Sequence, residues 1–433
     1  MKLLKKIYHW LPVDDKQKTR LKHIYKAHVA PWLEDIPQST VKTPDSFTNS
    51  DYLAELFRRS EEKSADYVAK GTDHYHWQVG DIKLIAFYLP QYHPFQENDM
   101  WWGEGFTEWR NVANAVPQFC GHYQPQLPDA LGFYDLRLPE VQQKQAQMAK
   151  DAGIYGFCYY YYWFSGKLLM ERPLRQLLEH KEIDFPFCIC WANENWTRRW
   201  DGLEQDVLIK QSYAVEDDLR FIQDAAEILS DKRYIRIAGK PFLLIYRIGL
   251  LPDAARTIKC WRDYWQEHYG EDLYIGIIRG HDFVDLKSCG GDVVIDFPPH
   301  TISCPDITDR IKPTNKNFSG IVYDLEAYIN SDKCMQKMDY PYIRSVMPSW
   351  DNTARKKNNG IIYYGSSPDN YEKWLKKVMR TTKENNPQEL QFVFINAWNE
   401  WAEGAHLEPD QKYGYAYLEK TKKCMREYGS EGR

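Results

Sequence analysis

Two glutamates after the last apolar run of the chain have the spacing of an acid and base pair. Glu400 and Glu403 are three residues apart, so their carboxyl groups can reach one small volume. Strand alternation predicts that Asn396, Trp398 and Glu400 point to one side. Glycosidic bond cleavage uses two carboxyl groups in an aromatic site, one as an acid and one as a base or nucleophile. We predict that Glu400 and Glu403 are catalytic, whereas a pair of surface glutamates is the alternative.

Aromatic and polar side chains also follow most of the other apolar runs. Trp and Tyr rings pack on the C–H faces of a sugar, and carboxylates and amides bind its hydroxyls. Burial of these rings in the core is the alternative, but it leaves several carboxylates at a high desolvation cost. We predict Glu194 as the supporting carboxylate of the site. The full predicted substrate-binding set is Tyr88, His93, Trp102, Trp163, Asn193, Glu194, Tyr246, Trp350, Trp398 and Asn399.

Eight short apolar runs must position these residues. They alternate with helix-like polar segments, which is typical of repeated βα units. The pattern predicts a (β/α)₈ TIM barrel, in which the residues after each strand meet at one face. A doubly wound open sheet is the structural alternative, because its buried parallel strands have the same pattern. The predicted strands are residues 82–89, 154–162, 187–192, 241–246, 273–278, 292–297, 342–347 and 390–397, and the main predicted helices are 139–152, 215–230, 254–269 and 370–385. 

The first 80 residues differ from the rest of the chain. Residues 1–30 contain eight Lys or Arg and two Asp, a net charge of +6, which leaves −11 for the remainder of a chain whose total is −5. An apolar stripe at helical spacing within this segment predicts a basic amphipathic helix. Such a helix binds an anionic membrane surface or, as the alternative, packs on the main domain. A polar helix is predicted over residues 51–70. We therefore divide the chain into a helical N-terminal extension, 1–80, and a barrel domain, 81–433.

Composition excludes several other classes of protein. The acidic charge of the main domain is wrong for a nucleic-acid binder, and no apolar run approaches the roughly 20 residues of a membrane-spanning helix. The apolar stretch at the start is too short for a secretory signal. Nine Cys without a C-x-x-C pair fit a reducing compartment. These features predict a cytoplasmic protein, peripheral to the inner membrane if residues 1–30 contact lipid.

Four motifs in order along residues 81–415 resemble those of the WbsX-like proteins. These proteins are encoded among bacterial O-antigen and capsule genes and are related to the endo-α-mannosidases of glycoside hydrolase family 99. The motifs are F-Y-L-P-Q-Y-H-P from Phe87, W-W-G-E-G-F-T-E-W from Trp101, W-A-N-E-N-W from Trp191 and N-A-W-N-E-W-A-E-G from Asn396.

This resemblance implies a (β/α)₈ barrel and a two-step retaining mechanism. In the related mannosidases, the first Glu of the W-N-E-W-x-E-G motif removes the proton of the sugar 2-hydroxyl, and the second protonates the leaving oxygen. By position these residues are Glu400 and Glu403. An axial 2-oxygen then displaces the leaving group through a 1,2-anhydro intermediate, and Glu403 activates the incoming water. The expected substrate is an oligosaccharide or lipid-linked glycan with an α-linked, mannose-type sugar, and no metal or cofactor is expected.

Two other classes of function remain open at the level of sequence. WbsX-like proteins are often described as glycosyltransferases, so a nucleotide-sugar or lipid-linked-sugar transferase is one alternative. No D-x-D, G-x-x-x-x-G-K or G-x-G-x-x-G motif supports the use of a nucleotide. A carbohydrate-binding barrel without catalysis is the other alternative, although binding alone does not need a paired acid and base.

Overall fold

Eight parallel strands close into a barrel in the computed structural model, which describes residues 38–39, 49–198, 203–280 and 285–429. Strand β1 pairs with both β8 and β2, and the remaining neighbours follow in chain order, so the sheet has no open edge. The predicted (β/α)₈ barrel is therefore confirmed, and the open doubly wound sheet is excluded. The strands are β1 Lys83–Tyr88, β2 Gly156–Phe164, β3 Phe187–Trp191, β4 Lys240–Ile245, β5 Tyr274–Arg279, β6 Val293–Asp296, β7 Tyr342–Val346 and β8 Phe392–Ile395.

The barrel strands form because their apolar residues are buried on both faces, as in other parallel sheets enclosed by helices. Nearly every residue of β1, β3, β4 and β8 is buried. Aromatic rings fill the interior, where Phe87 lies 5.0 Å from Phe297 and 5.2 Å from Phe394 between ring centroids. Side chains of the opposite parity on each strand face the surrounding helices.

Helices cover the outside of the barrel, and their first turns explain where several of them begin. Helix α11 starts two residues before the predicted boundary because the Ser367 side chain caps it and Pro368 suits its first turn. The helices are α1 Asn49–Glu61, α2 Gln96–Trp102, α3 Trp109–Ala113, α4 Pro139–Asp151, α5 Arg172–Glu179, α6 Val215–Leu229, α7 Ala254–Tyr269, α8 Leu286–Cys289, α9 Leu325–Asn330, α10 Thr353–Lys356, α11 Pro368–Asn385 and α12 Ala416–Tyr428.

The polar helix predicted over residues 51–70 ends early, at Glu61. Beyond it the backbone is extended and bonds to the barrel domain. The N–H of Val68 donates to the carbonyl oxygen of Tyr413 at 3.1 Å, and the N–H of Tyr415 donates to Val68 at 2.8 Å. These bonds replace the helical ones, so tertiary contacts override the polar pattern. The division at residue 80 and the helix predicted within residues 1–30 stay predictions, and the latter lies outside the described residues.

Shorter strands and turns lie between the barrel strands and helices, and most of the short strands follow a barrel strand in the chain. None of the described helices is both long and apolar enough to cross a bilayer. The additional strands are Lys167–Leu169, Trp196–Arg198, Leu203–Ile209, Arg236–Ile237, Ile321–Asp324, Ile361–Tyr364, Asn399–Glu400 and Ala405–His406, and the 3₁₀ turns are Ile248–Leu250, Thr308–Arg310, Lys333–Met335, Lys357–Asn359, Gln388–Leu390 and Trp401–Glu403.

Candidate active site

Three carboxylates share one arginine at the carboxyl face of the barrel. Arg355 bonds both carboxylate oxygens of Glu108 through Nε and Nη2, with the Nη2 bond at 2.8 Å. The same Nη2 lies 3.1 Å from Oε2 of Glu400, and Nη1 contacts Oε1 of Glu403. The exposed fraction of the Glu403 side chain is 19%, against 8% for Glu400 and 0% for Glu108. Glu403 is therefore the most accessible carboxylate of the three.

Three different loops bring these four side chains together. Arg355 lies on α10, shortly after β7. Glu108 directly precedes α3 in the long crossover between β1 and α4. Glu400 and Glu403 lie between β8 and α12, Glu400 in a two-residue strand and Glu403 at the end of a 3₁₀ turn. The loops that follow the strands of a (β/α)₈ barrel build its active site, and this cluster occupies that face.

Trp401 fixes the loop that presents the two glutamates. Its backbone N–H donates to the hydroxyl oxygen of Tyr92 at 3.1 Å, and its indole N–H donates to Glu408 at 2.7 Å. The indole also stacks on His406, with centroids 3.8 Å apart. Trp401 is 2% exposed. Because each polar atom of the ring and backbone has a partner, the side chains on either side of Trp401 have little freedom to turn away from Arg355.

Glu408 is the buried acceptor behind this loop. In addition to Trp401, Gln145 donates to it at 2.6 Å and the Tyr134 hydroxyl donates at 2.9 Å. Burial raises the pKa of Glu408 to about 7, while these donors act in the opposite direction. Glu408 is 2% exposed and bonds to groups of the barrel wall, so we treat it as a support of the site.

Gly404 allows the loop to pass close to the segment after β7. Its φ is +60°, and a Cβ at this position would lie 2.9 Å from the backbone nitrogen and oxygen of Asp351. The N–H of Asp351 donates to the carbonyl oxygen of Glu403 at 2.7 Å. Both the left-handed conformation and the close approach require glycine here. The two loops that carry Glu403 and Arg355 are thus joined through backbone atoms.

Asp351 also ties the long crossover to the site. One carboxylate oxygen accepts from Nε2 of His122 and from Gln124, each at 2.6 Å, and the other accepts from the N–H and hydroxyl of Thr353. Nδ1 of His122 accepts from the N–H of Gln118 at 3.0 Å, so its Nε2 holds the ring proton. These bonds fix the first turn of α10 and thereby Arg355.

Burial dominates the proton affinity of the cluster. It raises the pKa of Glu400 to about 8, because Arg355 offsets only part of the desolvation cost and Glu403 and Glu108 repel the charge. Burial also raises the pKa of Glu108, against the attraction of Arg355. The pKa of Arg355 is raised well above its usual range by the three carboxylates. One guanidinium and three carboxylates thus favour a bound proton at neutral pH.

Two of the predicted aromatic wall residues, Tyr246 and Trp102, pack against other aromatic rings. Tyr246 packs edge-on against Phe297, with centroids 5.4 Å apart, and against Tyr160 at 6.4 Å. Trp102 stacks on Phe106 at 5.4 Å in the long crossover. Tyr246 and Trp102 are half-buried, so their rings remain partly open. Both lie among residues that follow strands, as the sequence predicts.

Three of the predicted wall residues are completely buried, and two of these bond to helices outside the barrel. The Tyr88 hydroxyl donates to Gln145 on α4 at 2.7 Å, and the Trp163 indole N–H donates to Asp224 on α6 at 2.7 Å. Trp398 packs against Phe157, with centroids 5.0 Å apart. The predicted positions of Tyr88, Trp163 and Trp398 at the mouth are wrong.

The physical reason for these three errors lies in the ends of β2 and β8. Strand β2 continues to Phe164, so Trp163 lies within the strand and not in the loop after it. By alternation, its side chain points outward like that of Tyr159. Strand β8 ends at Ile395, so alternation does not extend to Trp398 and Glu400. The two side chains therefore point to different layers although they are two residues apart.

The two predicted asparagines connect loops with both ends of their side-chain amides. Asn193 donates to the carbonyl oxygen of Arg247 at 2.9 Å and accepts from its N–H at 2.8 Å. Asn399 makes the same pair of bonds to Leu89, at 3.0 and 2.7 Å. Glu194 forms an ion pair with the Arg247 side chain. These contacts hold the rim in shape, and the substrate-binding roles of Asn193, Glu194 and Asn399 stay predictions.

His93 and Trp350 lie at different edges of the carboxyl face. His93 is 2% exposed, and burial lowers its pKa to about 4, so the ring is neutral at physiological pH. Trp350 lies 6.2 Å from His300, between ring centroids, and lines a separate pocket. The structure thus groups Glu400 and Glu403 with each other but not with every predicted wall residue.

Sequence reasoning did not identify Arg355 or the role of Glu108. Glu108 was visible as an acidic residue in the W-W-G-E-G-F-T-E-W motif beside Trp109, which is buried. Arg355 gave no signal, because it starts an Arg-Lys-Lys run that resembles an exposed charge cluster. Its burial follows only from the path of the loop after β7.

The sequence also matches the model of a known protein family. The sequence model of the family described as Glycosyltransferase WbsX matches residues 84–421. The chain belongs to this family. The match spans nearly all of the barrel and confirms the resemblance seen in the four motifs. Glu108, Arg355, Glu400 and Glu403 lie within the matched range. The family's description also agrees with the predicted class of glycan-active enzyme.

Two curated relatives are described as "Uncharacterized protein WxcX". They come from Xanthomonas campestris pv. campestris, strains B100 and ATCC 33913, and each is 44% identical over 342 residues. The alignment covers 79% of this chain and 49% of each relative. The chain therefore spans about half the length of the curated relatives that it matches.

Solved structures of two similar chains share the barrel. The GH99 endo-alpha-mannosidase from Bacteroides thetaiotaomicron has a TM-score of 0.51 at 16% identity, covering 80% of this chain and 98% of that one. A glycoside hydrolase-like protein has a TM-score of 0.51 at 13% identity, covering 83% and 98%. At this level of identity, the similarity shows the fold.

Proposed function

We propose that the chain cleaves or transfers an α-linked, mannose-type sugar in the metabolism of a bacterial cell-surface polysaccharide, such as O-antigen or capsule. Glu400 acts as base on the sugar 2-hydroxyl, and Glu403 acts as acid on the leaving oxygen. The observation that supports this most directly is the contact of both carboxylates with Arg355 at the face where (β/α)₈ barrels build their active sites.

The proposed reaction retains configuration in two displacements. Glu400 takes the 2-hydroxyl proton, O2 bonds to C1, and the bond from C1 to the leaving oxygen breaks as Glu403 donates its proton to that oxygen. Water or a sugar hydroxyl then loses a proton to Glu403 and attacks C1. The bond between C1 and O2 breaks, and O2 regains its proton from Glu400. The reaction needs one proton on the pair at each step, and the raised pKa of Glu400 favours keeping one.

The charge of the site favours a glycosidic leaving group over a phosphate. Glu108, Glu400 and Glu403 outnumber Arg355, so the cluster is net negative even with one proton bound. A phosphate at C1 would be repelled by the carboxylates that surround the guanidinium. This argues against a nucleotide sugar as donor. A lipid-linked glycan remains compatible when the bond that breaks lies away from its phosphate.

The decisive experiment is incubation of the full chain with defined α-linked manno-oligosaccharides in H₂¹⁸O, followed by mass spectrometry. Hydrolysis gives one ¹⁸O per new reducing end, and transfer gives longer products without the label. A Glu403→Gln variant must lose both products. Consumption of a nucleotide sugar instead, unaffected by Glu403→Gln, would contradict the proposal. Binding without any turnover would favour a carbohydrate-binding barrel.

The proposed location is the cytoplasmic face of the inner membrane. The +6 charge of residues 1–30 supports it, because several basic side chains near an anionic surface each contribute about 1 kcal/mol before screening. Lipid-linked glycan precursors would be accessible to the barrel there.

A further inference from the structure

A pocket lies beside the loop that carries Glu400 and Glu403, and neither glutamate lines it. Its volume is about 340 Å³, within the range of small-molecule sites. One wall is the segment from Ser349 to Asp351, which bonds to the backbone of Glu403 and Gly404 on its other side. The pocket is therefore one layer of backbone away from the proposed acid.

The walls of this pocket are suited to a sugar ring. Trp350, Tyr363, Tyr413 and Tyr417 line it, so aromatic faces and edges are available for C–H contacts. Serine, asparagine, glutamine, histidine and aspartate side chains lie among them. This mixture is what a pyranose needs, but it does not by itself select one kind of sugar.

Lys412 gives the pocket its distinguishing feature. Its Nζ lies 4.9 Å from the centroid of the Tyr123 ring and 4.3 Å from that of Tyr413. It is the only lysine or arginine among the described residues that line the pocket. Across the described part of the chain, no carboxylate oxygen lies within 4.0 Å of Nζ. Burial lowers the pKa of Lys412, as expected for an ammonium without a counter-ion in contact.

The acidic side chains of the same walls are already engaged by other donors. Asp351 accepts bonds from His122, Gln124 and Thr353. Asp410 accepts from His406 at 3.1 Å and from the N–H of Tyr413 at 2.6 Å. Nδ1 of His122 accepts a bond from the N–H of Gln118, so both ring nitrogens have partners within the protein. Lys412 is thus left as the group that would bind a charged ligand.

We propose that this pocket binds an acidic sugar residue, with the ligand carboxylate on Lys412 and the ring among the surrounding aromatic side chains. The inference deepens the proposed function, on which it rests, since it makes the substrate a glycan with an anionic residue near the bond that is cleaved. When such a ligand binds, its carboxylate becomes the main partner of the Lys412 ammonium in place of the Tyr123 and Tyr413 rings, and the two charges form a partly buried ion pair. Selectivity for acid over alcohol then comes from one side chain.

The test compares methyl α-D-glucuronoside with methyl α-D-glucoside, which differ only in carboxylate against hydroxymethyl. Binding is measured by ligand-observed NMR titration on the full-length Glu403→Gln protein, so turnover plays no part. We expect about five-fold tighter binding of the glucuronoside, as for a favourable ion pair of about 1 kcal/mol. Adding Lys412→Met should abolish the preference, whereas Lys412→Arg should keep it. Lys259→Met, on the outer face of α7, is the matched surface control.

Several results would overturn the inference. These are equal affinity for the two glycosides, a preference that survives Lys412→Met, or displacement of the glucuronoside by acetate at the same concentration. Its failure is distinguishable from failure of the proposed function. If the chain cleaves neutral manno-oligosaccharides but does not prefer the glucuronoside, the proposed function is supported and the acidic-sugar pocket is contradicted. If the chain prefers the glucuronoside through Lys412 but cleaves no glycan, the acidic-sugar pocket is supported and the proposed function is contradicted.

Discussion

Arg355 and Glu108 are 247 positions apart in sequence, yet they form a two-bond ion pair inside the carboxyl face of the barrel. Glu108 is fully buried, so its carboxylate loses its hydration. The two charge-assisted bonds from Arg355 offset this desolvation cost. Nη2 of Arg355, which bonds Glu108, also bonds Glu400, and Nη1 bonds Glu403. The guanidinium therefore contacts all three carboxylates of the cluster.

The first prediction concerns the pH dependence of wild-type activity. The reaction needs one proton on the Glu400 and Glu403 pair, and burial raises the pKa of Glu400 to about 8. Above that pH the pair loses its last proton and the leaving oxygen is no longer protonated. We expect kcat/KM to fall as pH rises through about 8. A plateau that continues well above this pH would contradict the assignment.

Two substitutions should shift the pH at which kcat/KM falls, which we call the alkaline limb, in opposite directions. They test the role of the ion pair between Arg355 and Glu108. Glu108→Gln removes a negative charge near Glu400, so the limb should move to lower pH. Arg355→Met removes the positive charge and should move it to higher pH, each by about one unit or more. Arg355→Lys keeps the charge and is the control. Loss of folding, checked by thermal denaturation, would not move two limbs in opposite directions.

Glutamine variants of the pair should separate the two catalytic roles. Glu403→Gln and Glu400→Gln should each lower kcat/KM by about 10²- to 10⁴-fold, the usual contribution of general acid–base catalysis. With a glycosyl fluoride as substrate, the fluoride ion leaves without being protonated. This substrate should therefore restore much of the rate of the first displacement in Glu403→Gln but not in Glu400→Gln. Glu104→Gln, an exposed glutamate of the same crossover as Glu108, is the control. Equal rescue of both variants would argue against these roles.

Much of the fold could be predicted because burial on both faces leaves a clear sequence pattern. Each strand lies within or up to two residues beyond its predicted run, and the predicted helix over residues 254–269 matches α7 in both bounds. The polar helix after residue 50 was too long because bonds from Val68 to Tyr413 and Tyr415 are tertiary. Sequence periodicity contains no information about such contacts.

The site was predictable only where residues lie close in sequence. Glu400 and Glu403 lie together because one short loop holds both. Tyr88 and Trp163 were misplaced because their direction depends on where a strand ends, to within one residue. Arg355 could not be found at all, since its contact with Glu108 joins two loops that only the closed barrel brings together.

Trp102 and Trp163 make a matched test of the two aromatic layers. Trp102 is half-buried at the rim, so Trp102→Ala should raise KM roughly five-fold while the free energy of unfolding hardly changes. Trp163 is fully buried and bonds to Asp224, so Trp163→Ala should lower the free energy of unfolding by about 3–5 kcal/mol. Urea denaturation and steady-state kinetics on both variants provide the comparison. A rise in KM for Trp163→Ala at unchanged stability would contradict its assignment to the outer layer.

The final prediction concerns residues 1–30 and the membrane. We expect the full chain to co-sediment with vesicles that contain anionic lipid, and a chain that begins near residue 50 to stay in the supernatant. The attraction comes from a net charge of +6, so 0.5 M salt should release the protein, since the Debye length falls to about 4 Å. Vesicles of neutral lipid are the control. Equal sedimentation of the two chains would show that the barrel itself binds lipid or that the basic segment packs against protein, and the proposed location would then lose its physical basis.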